Sequence, residues 1–195
     1  MHGIHSDENP RLLRALGHLW NNVSVETVLQ EVIVQYQPDL VYERYSPFAV
    51  AGGVVSKQRS VPHILEVNAL LAEEGKRYRR QALQETSEYL EKIAFASTSL
   101  IVTVSRELRE SLIASGISSS KVLEIPNGVD TEIFTSEGPS VCEAFEGKVV
   151  IGFVGSLKPW HAIDFLAEGF SKLAYDSRFH LLVVGEGPMM KVLRR

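Results

Sequence analysis

The chain has 195 residues, 45% of them hydrophobic, and a formal net charge of −4. This length suits one large domain or two smaller ones, and the absence of a cationic excess argues against nucleic-acid binding as the main activity. Cys142 is the only cysteine, which excludes an intrachain disulfide and a thiolate metal cluster.

The sequence also bears on location. No apolar run reaches the roughly 20 residues that span a bilayer. The first ten residues carry His2, Asp7 and Glu8 in place of the basic and apolar regions of a secretory signal. These features predict a cytoplasmic protein and leave peripheral contact with the inner face of the membrane open.

Strands and helices alternate along the first part of the chain. Apolar residues at helical spacing follow Ser24, a typical N-cap, and predict a helix that ends at Pro38. Ser46 and Pro47 have the pattern of another helix start. The other predicted elements are strands 40–42, 62–67, 100–104 and 122–125, a helix over 78–96, and a helix capped by Ser105 and ended by Gly116. Strands separated by helices need crossover connections, so the pattern predicts a parallel sheet.

A second unit follows a segment rich in proline, glycine, serine and acidic residues, which is typical of an interdomain connection. We predict strands 149–154 and 179–184, a helix over 163–173 and a further helix from Pro188. The expected fold class is α/β, with two Rossmann-like, doubly wound parallel-sheet domains, the second truncated. The expected boundaries are 1–134 for the first domain, 135–148 for a linker and 149–195 for the start of the second domain. A two-stranded parallel sheet with only one or two helices cannot have both faces covered, so exposed apolar surface is expected in the second unit.

Ligands of open α/β sheets bind beyond the carboxyl ends of the strands, where helix starts favour anions. Strand 149–154 is followed by a loop in which Gly155 makes the turn and Lys158 is the fixed cation, with Ser156 and His161 beside them. A phosphate contact by Lys158 contributes roughly 1.5 to 3 kcal/mol. A solvated loop lysine and an exposed loop histidine are the alternatives.

The next strand ends in Gly185, Glu186 and Gly187, where small residues let a ligand approach the backbone. A simple turn between a strand and a helix explains the same pattern. Residues 126–130, which include Asn127 and Asp130, have the composition of a reverse turn.

Polar residues also follow two strands of the first unit. Glu66 and Asn68 point to one side of their strand and His63 to the other, because side chains alternate with a period of two. Glu66 is a candidate to act on an acceptor hydroxyl or to position it, or it is an exposed carboxylate. Glu43 and Arg44, after the preceding strand, have a similar placement and the same ambiguity.

Several classes of site lack their motifs. The sequence has no Asp-x-Asp pair and no helical His-Glu-x-x-His, so neither a metal nor another cofactor is implied. It also has no serine or cysteine in a glycine-flanked nucleophile turn.

Three segments in order carry a resemblance to a known family. They are Ile125-Pro-Asn-Gly-Val-Asp130 with Phe134, Gly152-Phe-Val-Gly-Ser-Leu-Lys-Pro-Trp-His161, and Leu182-Val-Val-Gly-Glu-Gly-Pro188. Together they resemble glycosyltransferase family 4, which has the GT-B architecture. Segments 42–45 and 65–69 also resemble the acceptor-side domain of one branch of that family.

The resemblance implies a metal-independent, retaining transfer of a sugar, of the hexosyltransferase type, from a nucleotide-sugar donor to a hydroxyl of a carbohydrate or lipid-linked acceptor. On this analogy Gly155 and Lys158 face the donor diphosphate, and the positive charge stabilises the departing nucleotide. The resemblance makes 1–134 the acceptor-side domain and 149–195 the start of the donor-binding domain. Glu66 and Asn68 then lie near the acceptor or the reacting carbon, and residues 127–130 mark the passage between domains. The nucleotide sugar is then a substrate and no cofactor is needed.

The sequence departs from the family pattern at several points. Ser156 stands where many relatives have arginine, and His161-Ala162 where they have Lys-Gly. The glutamate pair that contacts the donor sugar in relatives does not occur downstream of Gly185. We therefore expect this chain to be a fragment that is inactive alone. A non-catalytic nucleotide-sugar or partner-binding module is one alternative, and a GT-B hydrolase or epimerase is another.

Overall fold

The computed structural model describes residues 9–135, 137 and 145–194. The chain divides into two compact units, Met1–Gly128 (unit 1) and Val129–Arg195 (unit 2). Each contains its own parallel sheet, which confirms the predicted α/β class. Residues 136 and 138–144 of the predicted linker lie outside the described residues, and the boundaries at 134 and 148 stay predictions.

Unit 1 is a parallel sheet with helices between its strands. Its strands are β1 (Val41–Arg44), β2 (His63–Val67), β3 (Leu100–Thr103) and β4 (Val122–Glu124), paired in that order. Its helices are α1 (Asn9–Tyr36), α2 (Ala51–Gln58), α3 (Leu71–Glu74), α4 (Gln84–Ser97) and α5 (Arg106–Ala114), with a π-helical segment, Gly75–Arg79, after α3. Because every pair is parallel, all four carboxyl ends lie at one edge of the sheet.

The core of unit 1 fills the space between the sheet and its helices. Along β2, His63, Leu65 and Val67 are buried while Ile64 and Glu66 are partly exposed, so the strand alternates as its sequence predicts. The buried apolar cluster comprises Tyr45, Leu65, Val67, Ala94, Phe95, Ile101, Leu112 and Val122. This cluster fixes the direction in which the polar side chains of β1 and β2 project.

Helix α1 is longer than the sequence suggested. It begins at Asn9 and continues through Ser24, so the prediction that Ser24 caps it is wrong. Residues 9–23 include four leucines, two arginines and one alanine, which are strong helix formers. Extending an existing helix past one serine costs little compared with starting a new one.

Helix α2 is capped by a side chain from α1. It begins at Ala51, so Ser46 is not its N-cap as predicted. Asn22 Oδ1 instead accepts hydrogen bonds from the backbone N–H groups of Val50 (2.9 Å) and Ala51 (3.2 Å). Asn22 Nδ2 donates to the carbonyl oxygen of Phe48 at 2.9 Å. The first backbone donors of α2 are thus satisfied by a residue distant in sequence.

We expect Asn22→Ala to lower the free energy of unfolding by about 2 kcal/mol, because it removes an N-cap acceptor and a second hydrogen bond. Urea denaturation followed by circular dichroism measures the change. Asn21→Ala is the matched control, since Asn21 is an exposed neighbour on the same helix. Equal stabilities of the two variants would contradict this role of Asn22.

The predicted helix over 78–96 is wrong in its first part. Helix α4 begins at Gln84, and Arg80 and Leu83 ahead of it have positive φ angles of 46° and 56°. The chain turns here because Gln81 packs on Gly75, where an added Cβ would lie 2.2 Å from Gln81 Oε1. The backbone N–H of Gln81 also donates to the Gly75 carbonyl oxygen at 3.1 Å.

Helix α5 follows its sequence signals. The Ser105 hydroxyl oxygen accepts a hydrogen bond from the Leu108 backbone N–H at 3.3 Å, as expected of an N-cap. Gly116 follows the helix with a φ of +99°, which favours glycine. Both predicted ends of this helix are confirmed.

Unit 2 consists of β5 (Val149–Val154), α6 (Ile163–Ser171), β6 (Phe179–Val184) and α7 (Met190–Leu193), and β5 pairs with β6 in parallel. Both strands have the predicted bounds, whereas α6 ends two residues early and α7 begins after Pro188. The apolar side chains of Val154, Phe165 and Tyr175 are 80%, 77% and 96% exposed. The expectation of exposed apolar surface in this unit is therefore confirmed for its described residues.

Candidate functional site

The carboxyl end of β2 presents a carboxylate, that of Glu66, held by two hydrogen-bond donors and faced by one cation. The Tyr42 hydroxyl donates to Glu66 Oε2 at 2.8 Å, and Asn68 Nδ2 donates to Glu66 Oε1 at 2.8 Å. Arg44 Nε lies 3.8 Å from Glu66 Oε1. The pKa of Glu66 is lowered, chiefly by the hydrogen bond from Tyr42, then by that from Asn68 and by the charge of Arg44.

The pairing of β1 with β2 produces this arrangement. Arg44 stands opposite Glu66 in the register, and Tyr42 stands opposite Ile64 on the same face. Glu66 and Asn68 share that face and His63 is buried on the other, so the predicted sidedness is confirmed. Sequence reasoning missed Tyr42, although the period of two places it on the same face as Arg44.

Glu43 and Arg44 do not lie together after β1 as expected, because β1 extends to Arg44 and the two residues point to opposite faces. Glu43 Oε2 lies 3.0 Å from Nε2 of the buried His63. His63 Nδ1 lies 2.9 Å from the Thr98 hydroxyl oxygen. Gly52 packs against this pair, since an added Cβ there would meet Glu43 Oε2. The face of Glu43 is therefore separate from the Glu66 face.

We expect Tyr42→Phe to raise the pKa of Glu66 toward that of an ordinary glutamate, because the variant lacks the main donor that stabilises the charged form. Carboxyl NMR titration measures this shift. A lowered pKa adds stability above the unfolded-state pKa that is lost as the pH falls through the folded-state pKa. The stability difference between wild type and variant should therefore shrink in acid. Tyr89→Phe, which alters an exposed tyrosine of the same unit, should leave the Glu66 pKa unchanged.

In unit 2, the loops that follow β5 and β6 run side by side. The Gly155 N–H donates to the Val184 carbonyl oxygen at 3.0 Å, and the Leu157 N–H donates to the Glu186 carbonyl oxygen at 2.9 Å. Strand-like pairing therefore continues beyond the strands and joins both glycine-containing segments into one backbone surface.

Two glycines permit this close approach. A Cβ added to Gly185 would lie 2.0 Å from the Gly155 carbonyl oxygen, and one added to Gly187 would lie 2.4 Å from the Leu157 carbonyl oxygen. Both glycines also have positive φ angles, 143° and 159°. Any side chain at either position would push the loops apart.

Lys158 directly precedes a short turn of 3-10 helix, Pro159–His161. Its side chain is half-buried, and its ammonium makes no ion pair or side-chain hydrogen bond with the described part of the chain. A ring nitrogen of His161 lies within hydrogen-bonding distance of the Ser156 carbonyl oxygen. Ser156 and Glu186 are exposed. The loop after β5 therefore offers an available cation and an open backbone surface.

The residues expected between the domains form a turn. Asp130 Oδ1 accepts a hydrogen bond from the Glu132 N–H at 2.9 Å, and its carbonyl oxygen accepts one from the Phe134 N–H at 2.8 Å. Asn127 is exposed and belongs to unit 1, whereas Asp130 belongs to unit 2. Their contribution to a ligand site stays a prediction.

Residues 3–133 match the sequence model of Glycosyltransferase Family 4. The chain belongs to this family. The matched segment contains Glu66 and its partners Tyr42, Arg44 and Asn68, called here the Glu66 cluster. It ends before β5, so it does not include the loops of unit 2. No curated protein sequence gives a significant match.

Solved structures with a similar fold extend the comparison into unit 2. MnaA of S. aureus, solved with UDP, is 15% identical, with a TM-score of 0.54 over 91% of this chain and 49% of that chain. Anabaena Alr3699/HepE in complex with UDP-glucose is 17% identical, with a TM-score of 0.60 over 83% and 43%. The apo lipopolysaccharide outer core galactosyltransferase WaaB is 17% identical, with a TM-score of 0.50 over 94% and 44%.

These similarities establish the fold of this family 4 chain as GT-B, with Rossmann-like units built on parallel sheets. The chain spans less than half the length of each of the three solved proteins. Across residues 9–135, 137 and 145–194, no three His, Cys, Asp or Glu side chains form a potential metal site. The same residues contain no helix that is long and apolar enough to cross a membrane.

Proposed function

We propose that this family 4 chain belongs to a retaining glycosyltransferase that moves a sugar, as hexosyltransferases do, from a nucleotide sugar to an acceptor hydroxyl. The observation that carries the proposal is the joined surface of the two glycine-containing loops at the carboxyl ends of β5 and β6, with Lys158 beside it. Family membership supports the reaction class.

Unit 2 would bind the donor. In this proposal the backbone at Gly155, Ser156, Gly185 and Gly187 lies against the diphosphate, with His161 and Glu186 at its margin. Lys158 supplies a fixed positive charge. Its role is to stabilise the negative charge that grows on the departing nucleotide, which is the main electrostatic demand of the transfer.

Glu66 would position the acceptor. Its lowered pKa keeps the carboxyl ionised at neutral pH, so it accepts hydrogen bonds and does not donate them. Tyr42 uses one lone pair of Glu66 Oε2, and Asn68 uses one lone pair of Oε1. Each carboxylate oxygen has a second lone pair that can accept a hydrogen bond from an acceptor hydroxyl. Asn68 Oδ1 is buried and has no hydrogen-bond partner among the described residues.

UDP is the first donor nucleotide to test, because one related structure is solved with UDP and another with UDP-glucose. Calorimetry of UDP and UDP-glucose with this chain measures donor binding. Acceptor-dependent release of UDP measures transfer. We expect the 195-residue chain alone to bind the nucleotide weakly and to show no turnover. Transfer by the 195-residue chain itself would contradict that expectation.

The proposal includes no metal, since the sequence lacks an Asp-x-Asp pair. Excess chelator should therefore leave turnover unchanged. Loss of turnover on chelation, with recovery on addition of Mg²⁺ or Mn²⁺, would contradict this part.

An epimerase is the second candidate, because one structure with a TM-score of 0.50 is described as a putative UDP-N-acetylglucosamine 2-epimerase of Listeria monocytogenes. An epimerase or a hydrolase would consume a nucleotide sugar without an acceptor. A non-catalytic module would bind the nucleotide sugar and consume none. Turnover measured with and without acceptor separates all three from a transferase.

A further inference from the structure

A cluster of basic side chains surrounds a small cavity in unit 1, apart from the Glu66 cluster. Arg11, Arg14 and His18 of α1 and Arg79 of the π-helical segment line a space of about 120 Å³. The three residues of α1 recur at intervals of three and four, which places them on one face of the helix. The cavity therefore concentrates positive charge on one side.

No carboxylate among the described residues lines this cavity. Within residues 9–135, 137 and 145–194, Arg11 and Arg14 form no ion pair with an acidic side chain. Arg79 is paired with Glu74, which lies outside the cavity lining and holds the guanidinium in place. Arg11 and Arg14 line one cavity and have no acidic partner among the described residues, so they repel one another there and their convergence favours an anionic ligand.

The wall of this cavity also contains a side-chain amide, that of Gln81, with an unpaired N–H group. Gln81 lines the cavity, and its Nε2 is buried without a hydrogen-bond partner among the described residues. Its Oε1 packs on Gly75, so the two ends of the amide have different surroundings. A buried N–H group without an acceptor costs free energy. An anion in the cavity would supply that acceptor.

The cavity also lies where ligands bind in this type of fold. Pro47 and Phe48 in its wall belong to the connection that follows β1. Arg79 and Gln81 belong to the connection that follows β2. Both connections leave the carboxyl edge of the sheet, the edge that carries Glu66. His18 stacks on Phe48 with ring centroids 6.2 Å apart, which ties α1 to this edge.

We propose that Arg11, Arg14, His18, Arg79 and Gln81 form a phosphate-binding site on unit 1. A guanidinium matches the oxygens of a phosphate in a paired, charge-assisted geometry. The cavity is well below the 300 to 1,000 Å³ typical of sites for whole small molecules, so it suits a phosphate or pyrophosphate group and not a complete nucleotide. Resting on the proposed function, that phosphate belongs to the acceptor, as in a sugar phosphate or a lipid-linked phosphate.

The test measures binding of inorganic pyrophosphate to the full chain by calorimetry, and binding to vesicles that contain phosphatidic acid by sedimentation. Arg11→Gln/Arg14→Gln removes two exposed arginines of the site. Arg106→Gln/Lys172→Gln is the matched control, because it removes two exposed cations elsewhere that are paired with glutamates. Lys158→Ala removes the cation of the proposed donor loop. Circular dichroism checks that each variant is folded.

We expect the first double variant to lose at least about tenfold in affinity for pyrophosphate at the unit 1 cavity, since each charge-assisted contact contributes roughly 1.5 to 3 kcal/mol. The control and Lys158→Ala should each leave a saturable site with wild-type affinity. If the double variant loses binding only to the vesicles, the result supports the site and identifies its ligand as a lipid phosphate. Equal binding by the double variant and the control, with both probes, overturns the inference. Loss of pyrophosphate binding in Lys158→Ala alone also overturns it, while the proposed function stands.

Discussion

Replacement of Gly185 by alanine is expected to lower the free energy of unfolding of unit 2 by about 3 kcal/mol, which combines a strained backbone and an overpacked contact. The added Cβ would lie 2.0 Å from the carbonyl oxygen of Gly155 and 2.9 Å from its carbonyl carbon, and neither backbone atom can rotate away. Gly185 also has a φ of +143°, which alanine rarely adopts. The two loops must separate to accommodate the methyl group.

The two tryptophans allow each unit to be followed separately, because Trp20 lies in unit 1 and Trp160 in unit 2. In a Trp20→Phe background, fluorescence during urea denaturation reports unit 2 alone. Gly169→Ala is the matched control. Gly169 is exposed on α6 with no atom within 4 Å of an added Cβ, so alanine there should stabilise the unit by about 0.5 to 1 kcal/mol through helix propensity.

The two substitutions thus add the same methyl group with opposite expected signs. A Gly185→Ala protein with wild-type stability would show that the loops after β5 and β6 do not meet at this point. It would also remove the main support for a shared donor surface, because the proposal depends on that contact.

The sequence predicts elements well where the pattern is local and apolar. Both ends of β5 and β6 were predicted, since each strand is a continuous apolar run with a turn residue after it. Strand β1 was predicted too short because Glu43 and Arg44 are polar. Their side chains are paired across the sheet with His63 and Glu66, and such pairs stabilise polar residues within a strand.

Tertiary contacts account for the wrong predicted starts of α2 and α4. Ser46 has the sequence of a cap, yet Asn22, more than twenty residues earlier, binds the first N–H groups of α2. The helix predicted over 78–96 begins at Gln84 because Gln81 folds back onto Gly75. No local pattern contains either contact, since both depend on how elements pack.

In the candidate site, too, the features set by local spacing were predictable from the sequence, and those set by strand register were not. Glu66 and Asn68 could be placed on one face from their spacing alone, and their hydrogen bond agrees. The hydrogen bond from Tyr42 to Glu66 could not be predicted from spacing, because it depends on the register between β1 and β2. The Gly185 contact is likewise a matter of register between β5 and β6.

Lys158→Ala is expected to weaken the binding of UDP by about ten- to a hundredfold, the equivalent of one charge-assisted phosphate contact. The ammonium of Lys158 has no ion pair with the described residues, so its removal breaks no such contact of the folded chain. Stability should therefore change little, and the loss should appear in ligand affinity. Lys172→Ala is the matched control, since Lys172 is an exposed lysine of the same unit that pairs with Glu168.

We expect the loss of Lys158 to affect the rate of transfer more than the binding of UDP. If Lys158 faces the diphosphate, its charge matters more as the nucleotide departs than in the bound donor. The acceptor-dependent rate of a catalytically active form of the protein should then fall by a larger factor than the affinity for UDP. Lys158→Arg should recover part of both, because it keeps the charge but changes the geometry. Equal affinity for UDP and equal rate in Lys158→Ala and Lys172→Ala would contradict diphosphate binding at the loop after β5. No other lysine or arginine in the segment 155–161 could supply the positive charge.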